Sequence, residues 1–453
     1  MVFIMRKWVT VGILSLQASL SLAADLPNPV THSDFPDVPM STILLGRDLF
    51  FDPILSGNRN IACSTCHHGA FGSADGVALG VGEGGVGLGR ARHGQPAYGA
   101  PAHVPRNAPA LFNLGAAEFT TLFHDGRVAK NPNERMGFDM PAGAALERPV
   151  PNALAAQALL PVTSAEEMAG APGENPIADL AAMGKLRGPN GLWQKLTERV
   201  EDIPAYRHRF DAIIGPDEPL HITHIATAIA GFIAFEFRST NSPFDAYLGG
   251  RERALTPPQK RGLDLFYGKA NCAACHSGPF QTDHKFHAIA MPQIGPGKDH
   301  GKDHGKDHGI LFADHGRAAI TGDPRDLYKF RTPSLRNVAL TAPYGHSGAY
   351  ATLDAVIRHH LAPEQSLAAY DPTQIALPGL DGNTPLPPTM PDPREIARIA
   401  AANTLAPSTL SDAEIADLIS FLDALTDPEA ATGRLGAPRL VPSGLSLDRL
   451  STH

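Results

Sequence analysis

The chain has 453 residues, which is too long for one ordinary domain and predicts two or three. Hydrophobic residues make up 43% of the chain and charged residues 19%, a balance that excludes a disordered protein. The formal net charge of −8 argues against nucleic acid as a partner and is compatible with a basic partner protein.

The first 24 residues have the pattern of a secretory signal peptide. Arg6 and Lys7 precede a short apolar run, and the small residues Ala23 and Ala24 offer a cleavage site. A signal anchor is the alternative, but the apolar run is short for a membrane span. No later segment is long and apolar enough to cross a bilayer, so we expect an exported protein that does not span the membrane.

Two C-x-x-C-H motifs account for all four cysteines of the chain. They are Cys63, Cys66 and His67 in the first motif, and Cys272, Cys275 and His276 in the second. This spacing is the attachment signature of a c-type haem, in which both thiols bond to the haem and the adjacent imidazole binds the iron. The pairs lie too far apart for an ordinary zinc ribbon, and a thioredoxin-like pair would need a βαβ context that is absent. The sequence therefore predicts two covalently bound haem c groups.

A faint internal repeat surrounds the two motifs, because a short amphipathic helix ending in Asp-Leu-Phe precedes each of them. This predicts a mainly α protein of two cytochrome-c-like helical domains, each wrapping one haem c, with long irregular loops. The expected domains are residues 25–245 and 246–453, with a break around 239–253. The C-terminal tail can pack back on the first domain.

Capping signals predict individual helices in the second half of the chain. Thr256 has the position of an N-cap, with Pro257 first in the helix and Gln259 completing a capping box. Ser411 and Glu414 form a second capping box before an apolar helical face. Residues 221–237 read as a buried or strongly amphipathic helix.

Two segments have the character of insertions. Residues 129–150 are irregular and rich in Pro and Gly. Gly297–Gly309 is a four-residue repeat that carries His300, His304 and His308. Histidine-rich tracts bind metals, but a low-complexity loop is the interpretation we favour.

Seven segments together resemble the bacterial di-haem cytochrome c peroxidases and their relatives, which include the enzyme that matures tryptophan tryptophylquinone. They are LGRDLFFDPILSGNRNIACSTCH, PRNAPALFN, FHDGR, LAAQALLPVTSAEEM, GLDLFYGKANCAACHSGPF, FRTPSLRNVALTAPYGHSGAYATLDAVI and LSDAEIADLISFLDALT. The resemblance spans nearly all of the mature chain in order. It implies that the first haem reacts with hydrogen peroxide and that the second receives electrons from a small cytochrome c or cupredoxin.

The resemblance assigns Glu167 as the catalytic carboxyl and Gln157 as a neighbour that orients it. Peroxide reduction needs a group that takes a proton from one oxygen and returns a proton to the other, which suits a buried carboxyl. An ordinary solvated helix residue at position 166 or 167 is the alternative. Relatives that need reductive activation cap the first iron with a histidine, and here Glu83 falls at that position. His93 and His103 lie further along and remain candidates for the same role.

The sequence departs from the family at two positions, one between the haems and one at the second iron. His124 of FHDGR stands where relatives have a tryptophan, so it is a candidate for the inter-haem path. Relatives supply Met or Tyr as the second axial ligand of the second haem, and here His360 takes that register, with His359 and Met291 as alternatives. An imidazole in place of a thioether would lower the reduction potential.

A calcium ion between the domains is a further implication of the resemblance. Its ligands would be the side chain of Asn107 and the backbone carbonyls of Thr341 and Pro343, which are oxygen donors of the kind calcium prefers. The expected function is a periplasmic peroxidase, and a homodimer is possible by family analogy. A di-haem oxidase that modifies a partner protein and a non-enzymatic electron carrier are the alternatives.

Overall fold

A computed structural model describes residues 26–94, 103–298, 313–377 and 393–450. The expected signal peptide and the three histidines of the Gly-Lys-Asp-His repeat lie outside these residues. The described helices, in chain order, are α1 Met40–Phe51, α2 Cys63–Cys66, α3 Ala153–Ala158, α4 Pro176–Ala182, α5 Leu192–Glu201, α6 Pro204–Ile214, α7 Ile222–Glu236, α8 Pro243–Leu248, α9 Pro257–Tyr267, α10 Ala318–Thr321, α11 Leu353–Leu361, α12 Pro363–Ala368, α13 Pro393–Ala401, α14 Asp412–Asp423 and α15 Pro428–Thr432.

The strands are short and all of their pairings are antiparallel. They are β1 Gly85–Val86, β2 His93–Gly94, β3 Thr121–Leu122, β4 Val128–Lys130, β5 Phe138–Asp139, β6 Phe286–His287 and β7 Phe330–Arg331. The pairs are β1 with β2, β3 with β4, β4 with β5, and β6 with β7. The expectation of a mainly helical protein is confirmed, since the strands serve only to pin loops between helices.

The predicted helix caps are present. Thr256 Oγ1 accepts from the backbone N–H of Gln259, whose side chain accepts from the Thr256 N–H at 2.8 Å. Ser411 and Glu414 form the same reciprocal pair at the start of α14. Both pairs satisfy backbone donors that a helix start leaves without partners.

Two main hydrophobic clusters follow each other along the chain. The first is built around α1 and α7, which pack together, and contains Phe50 and Phe232. The second is built around α9 and α14, with Phe266 against Phe421 at a ring-centroid distance of 5.2 Å. The first cluster packs against Cys63 and Cys66 and the second against Cys272, which places one C-x-x-C-H motif on each core.

The C-terminal tail returns to the first cluster. Val441 is buried there, and Leu445 packs against the same cluster. Ser443 donates to Asp52 at 2.7 Å, and Thr65, inside the first motif, donates to Asp448 at 2.6 Å. The last described residues therefore cover the first motif although they follow the second in sequence. Among the described residues, no helix has the length and apolar character to cross a bilayer.

Candidate functional site

The first C-x-x-C-H motif forms one helical turn, α2, followed directly by His67. His67 Nδ1 lies 3.1 Å from the carbonyl oxygen of Ser73. That contact makes Nδ1 the protonated nitrogen and leaves Nε2 for a metal. Burial raises the pKa of the thiols of Cys63 and Cys66 to about 12.

Glu167 lies in a single π-helical turn, Ala165–Ala169, whose N-cap is Ser164. Burial raises the pKa of the Glu167 carboxyl, and the positive charges of Arg127 and Lys298 partly oppose this rise. The negative charge of Glu167 in turn raises the pKa of the Cys66 thiol, so the carboxyl lies close to the first motif. A buried carboxyl with a raised pKa has the chemistry of a group that takes up and releases a proton.

Gln157 lies in α3, and its Oε1 is buried without a hydrogen-bond partner among the described residues. A buried amide oxygen of this kind needs a donor from a water or a ligand. This environment is consistent with the expectation that Gln157 faces a pocket.

Hydrogen bonds and close backbone contacts hold the loop after the first motif in place. Arg92 is buried and donates to the carbonyls of Val81, Gly82 and Gly87, the last at 2.9 Å. Gly82 lies against the backbone of Glu166 and Glu167, and an added Cβ would overlap the Glu166 carbonyl oxygen.

Glu83 stands at the histidine-cap position, and His93 and His103 are the candidates for the cap itself; each of the three is held by contacts of its own. Glu83 Oε1 accepts from Asn60 Nδ2 at 2.6 Å, which directs the carboxyl toward the segment before the first motif. His93 is exposed, with Nδ1 3.0 Å from the carbonyl oxygen of Ala91. His103 Nδ1 lies 3.0 Å from the carbonyl oxygen of Leu79, and its Nε2 is buried without a partner among the described residues. His103 is thus the one of the three with a buried nitrogen available.

The second motif repeats the arrangement of the first. His276 Nδ1 lies 3.1 Å from the carbonyl oxygen of Gln281, which leaves Nε2 for a metal. Burial and, second, the charge of His360 lower the pKa of His276 to about 4. The two imidazoles therefore lie close together in the fold.

The neighbouring histidines of α11 differ in their free nitrogens. His359 Nδ1 is bonded to the Tyr350 hydroxyl at 2.9 Å, and its Nε2 lies 2.8 Å from the carbonyl oxygen of Ile289. His360 uses Nδ1 for the carbonyl oxygen of Val356 at 2.7 Å. His359 has both nitrogens in hydrogen bonds, whereas the Nε2 of His360 is left for a metal. Met291, the other alternative, packs in a cluster with Ala349 and Tyr350.

A buried charge network joins the two halves of the chain. The guanidinium of Arg106 donates to both carboxylate oxygens of Asp314 at 2.6 and 2.7 Å and to Asp125 at 2.6 Å. Burial would raise the pKa of Asp125, but Arg106 and Arg127 lower it to about 2. Both aspartates therefore carry a negative charge, and Arg106 links the segment of FHDGR to a residue of the second half.

Two histidines lie beside this network. His124 Nε2 is 3.2 Å from the carbonyl oxygen of Asn107, and burial together with the charge of Arg106 lowers the pKa of His124 to about 3. The ring of His346 stacks on Phe330 at a centroid distance of 3.8 Å, and neither of its nitrogens has a partner among the described residues. His124 and His346 affect each other's charge, so two neutral imidazoles lie together between the halves.

The residues expected to bind calcium lie around one pair of loops. Asn107 Nδ2 donates to the carbonyl oxygen of Val77 at 2.7 Å, and its backbone N–H donates to His346. Gly348, two residues after His346, lies against Ala78 and Pro343. Asn107 and Pro343 therefore border the same junction. Its oxygen donors suit calcium.

Sequence reasoning missed several charged residues of these sites. Arg106 belongs to the segment PRNAP and Arg127 to FHDGR. The sequence pattern assigned roles in these segments only to Asn107 and His124. Lys298 is the second residue of the four-residue repeat and Asp314 follows that repeat, and neither residue stands out in its local sequence. Only the fold shows that all four meet.

Two haem groups fit these residues. Each motif presents two cysteines outside any disulfide and one imidazole oriented by a backbone carbonyl. Cys275 lies within reach of Asp283 and His287, a trio that has the geometry of a small metal cluster. Thioether attachment would remove Cys275 from that trio.

Comparison with known proteins gives a consistent result. The family described as "Di-haem cytochrome c peroxidase" matches residues 40–253. The methylamine utilization protein MauG of Methylorubrum extorquens is 30% identical over 76% of this chain and 75% of its own length. The cytochrome c551 peroxidase of Pseudomonas aeruginosa is 31% identical over 73% and 75%.

Solved structures agree with these matches. A MauG-like protein associated with microbial copper homeostasis aligns with a TM-score of 0.57 and 27% identity, over 91% of this chain and 96% of that one. The di-haem peroxidase BthA of Burkholderia thailandensis aligns with a TM-score of 0.55 and 20% identity, over 90% and 93%, and this likeness concerns the fold.

Proposed function

Because this chain belongs to the di-haem cytochrome c peroxidase family, whose members are oxidoreductases that act on peroxide, we propose that it reduces hydrogen peroxide with electrons from a small cytochrome c or cupredoxin. The overall reaction is H₂O₂ + 2 H⁺ + 2 e⁻ → 2 H₂O. The haem bound by Cys63, Cys66 and His67 would take the peroxide, and the haem bound by the second motif would receive the electrons. Haem supplies the redox-active iron of both steps.

The assignment of peroxide to the first haem and of electron uptake to the second is supported by the different surroundings of His67 and His276. At the second motif, His360 lies close to His276 with its Nε2 left for a metal. At the first motif, the buried carboxyl of Glu167 lies close by, and of the two histidine candidates His93 is exposed, whereas His103 keeps a buried Nε2 without a partner among the described residues. One site is thus prepared for two imidazole ligands, and the other for proton chemistry.

The protein groups of the first site have distinct tasks in this proposal. Glu167 takes a proton from one peroxide oxygen and returns a proton to the departing oxygen. Arg127 and Lys298 stabilise the charged carboxylate before the first transfer and after the second, since both lower its pKa. Gln157 offers an amide whose oxygen lacks a protein partner, and it orients a water or the peroxide.

A second candidate function is the oxidation of side chains on a partner protein. The exposure of His93 favours it, because a first iron without a histidine cap needs no prior reduction, whereas the buried Nε2 of His103 counts against it. The absence of a tryptophan in FHDGR and the imidazole at position 360 argue against it, since the resemblance gives that branch a tryptophan and a tyrosine there. We rank it second.

The remaining parts of the proposal concern location and ions. The signal-like first 24 residues support export to the periplasm, where haem c is attached and peroxide enters. Asn107, Thr341 and Pro343 are the proposed ligands of one calcium ion between the halves. A homodimer remains a proposal by analogy with the family.

A stopped-flow experiment tests the main proposal. The diferric protein is mixed with peroxide, and reduced cytochrome c is added in a second mix. We expect donor oxidation at two equivalents per peroxide. A long-lived spectral change that the donor does not reverse would favour the side-chain-modifying function, and no reaction, even after half-reduction, would favour an electron carrier.

A further inference from the structure

Peroxide reduction consumes two protons per turnover, and the carboxyl of Glu167 stores only one. Glu167 is buried, so each turnover requires a proton to reach it from solvent. Water inside a protein supports such transfer where polar groups hold it. A candidate for the supply route is a second buried carboxyl close to Glu167.

Glu83 is a buried carboxyl on the segment that contacts the Glu167 turn. Its backbone N–H donates to the carbonyl oxygen of Glu166 at 3.0 Å, and its neighbour Gly82 lies against the backbone of Glu167. The segment that carries Glu83 and the π-helical turn that carries Glu167 are therefore in direct backbone contact. The Glu83 side chain is 7% exposed.

Two buried acceptors beside each other lack donors at this point. Glu83 Oε1 accepts from Asn58 Nδ2 at 3.0 Å and from Asn60 Nδ2 at 2.6 Å. Glu83 Oε2 and Asn60 Oδ1 are buried, and neither has a partner among the described residues. Nearly all buried acceptors in proteins have a hydrogen-bond donor. The two oxygens therefore need either a proton on the Glu83 carboxyl or a water between them.

The other side of this cluster reaches solvent. Asn58 Nδ2 also donates to Glu174 Oε2 at 2.9 Å, and Glu174 is exposed. A single amide therefore separates the buried carboxyl of Glu83 from a carboxylate at the surface. One end of this cluster thus reaches water, and its other end belongs to the segment whose backbone contacts the Glu167 turn.

From these contacts we infer that Glu83 supplies protons from solvent to Glu167. Glu83 takes a proton from water on the Asn58 side and passes it, through water held by its Oε2 and Asn60 Oδ1, to the Glu167 carboxylate. Glu167 then passes that proton to the second peroxide oxygen, which needs two protons from solvent and the two electrons of the donor protein to leave as water. Glu83 acts through Glu167 and contacts no reacting atom. The inference rests on the proposed function for its purpose.

The test measures proton movement without peroxide. In the resting haem-loaded protein, below the raised pKa of Glu167, infrared spectroscopy follows the carboxyl band of Glu167 after transfer to D₂O. The band is assigned by its loss in Glu167→Gln. We expect the exchange to be at least about 10-fold slower in Glu83→Gln, whose amide oxygen still accepts from Asn58 and Asn60. Glu83→Asp, which keeps an acid, should exchange nearly as fast as the parent.

Glu174→Gln is the matched control, because it removes a carboxylate from the same hydrogen-bonded chain but leaves the buried acid, and we expect parental exchange. Equal exchange in Glu83→Gln and the parent would overturn the inference. Equally slow exchange in Glu83→Gln and Glu83→Asp would also overturn it, since the shape of the side chain and not its proton would then matter. If Glu83→Gln does not fold, Asn60→Ala must slow exchange, and a parental rate in that variant overturns the inference.

The result is independent of the proposed function. Exchange is measured without peroxide or donor, so a protein that exchanges through Glu83 and yet leaves peroxide intact would refute the proposed function alone. Where the protein turns over, Glu83→Gln should also show a larger solvent isotope effect on steady-state turnover than the parent.

Discussion

Arg106 holds the two halves of the chain together through buried charge, and its removal should have a large and pH-dependent cost. Its side chain is 6% exposed and that of Asp314 is 3% exposed. Arg106→Gln would leave Asp314 buried without a cation, whereas Asp125 would keep Arg127 at 3.2 Å. Removing one partner of a buried pair typically costs about 3–5 kcal/mol, and we expect this range at pH 7.

The pH dependence follows from the direction of the pKa changes. In the parent, Arg106 holds the pKa of Asp314 well below its usual range, against the effect of burial. That interaction stabilises the fold above the unfolded pKa of about 3.9 and is lost as the pH falls through the folded pKa. In Arg106→Gln, burial alone would raise the pKa of Asp314, so the variant loses stability as the pH rises. The difference in the free energy of unfolding between the parent and Arg106→Gln should therefore become smaller from pH 7 toward pH 4.

Urea unfolding of the haem-loaded proteins, followed by far-ultraviolet circular dichroism at pH 7 and pH 4, measures this difference. Arg325→Gln is the matched control, because Arg325 is exposed and pairs with Asp323 at 2.6 Å on the surface. We expect its midpoint to equal that of the parent. The reasoning is refuted if Arg106→Gln and Arg325→Gln have the same midpoint, or if the difference between the parent and Arg106→Gln is the same at both pH values.

Three further predictions concern the sites themselves. Glu167→Gln should keep both haems and slow the reaction with peroxide by about 10²–10⁴-fold in stopped-flow mixing, and unchanged turnover would remove Glu167 from the mechanism. His360→Gly should abolish the bis-imidazole signal in electron paramagnetic resonance while His359→Asn keeps it, and the opposite pattern would assign the ligand to His359. Gly82→Ala should destabilise the protein by about 1–3 kcal/mol and slow the peroxide reaction, because its Cβ would push the Glu167 segment away. Gly69→Ala, where an added Cβ meets no atom within 4 Å, should leave both the unfolding midpoint and the peroxide reaction unchanged.

The parts of the fold that sequence predicted are those governed by local chemistry. The capping boxes of Thr256 and Ser411 each depend on residues three positions apart, so the pattern and the structure agree. The C-x-x-C-H motifs are equally local. In each of them the imidazole takes its orientation from a carbonyl five or six residues further along.

The remaining features depend on contacts between distant segments. Arg106 and Asp314 are 208 residues apart, and neither position stands out in its own segment. Sequence register left His359 and His360 open as ligands, and only the contacts of His359 with Tyr350 and Ile289 separate them. The hydrogen bonds from Asn58 and Asn60 to Glu83 could not be predicted from the sequence either, because amide side chains in a loop have no fixed direction until the loop is folded.

We propose that the iron of the first haem is accessible to small molecules and that the iron of the second is bound by the two imidazoles of His276 and His360. A cyanide titration of the resting diferric protein, followed by electron paramagnetic resonance, tests it most directly. We predict that one haem per chain binds cyanide and that the bis-imidazole signal, identified by its loss in His360→Gly, is unchanged. Binding at the haem that gives that signal, or no binding at either haem without prior reduction, would contradict the claim.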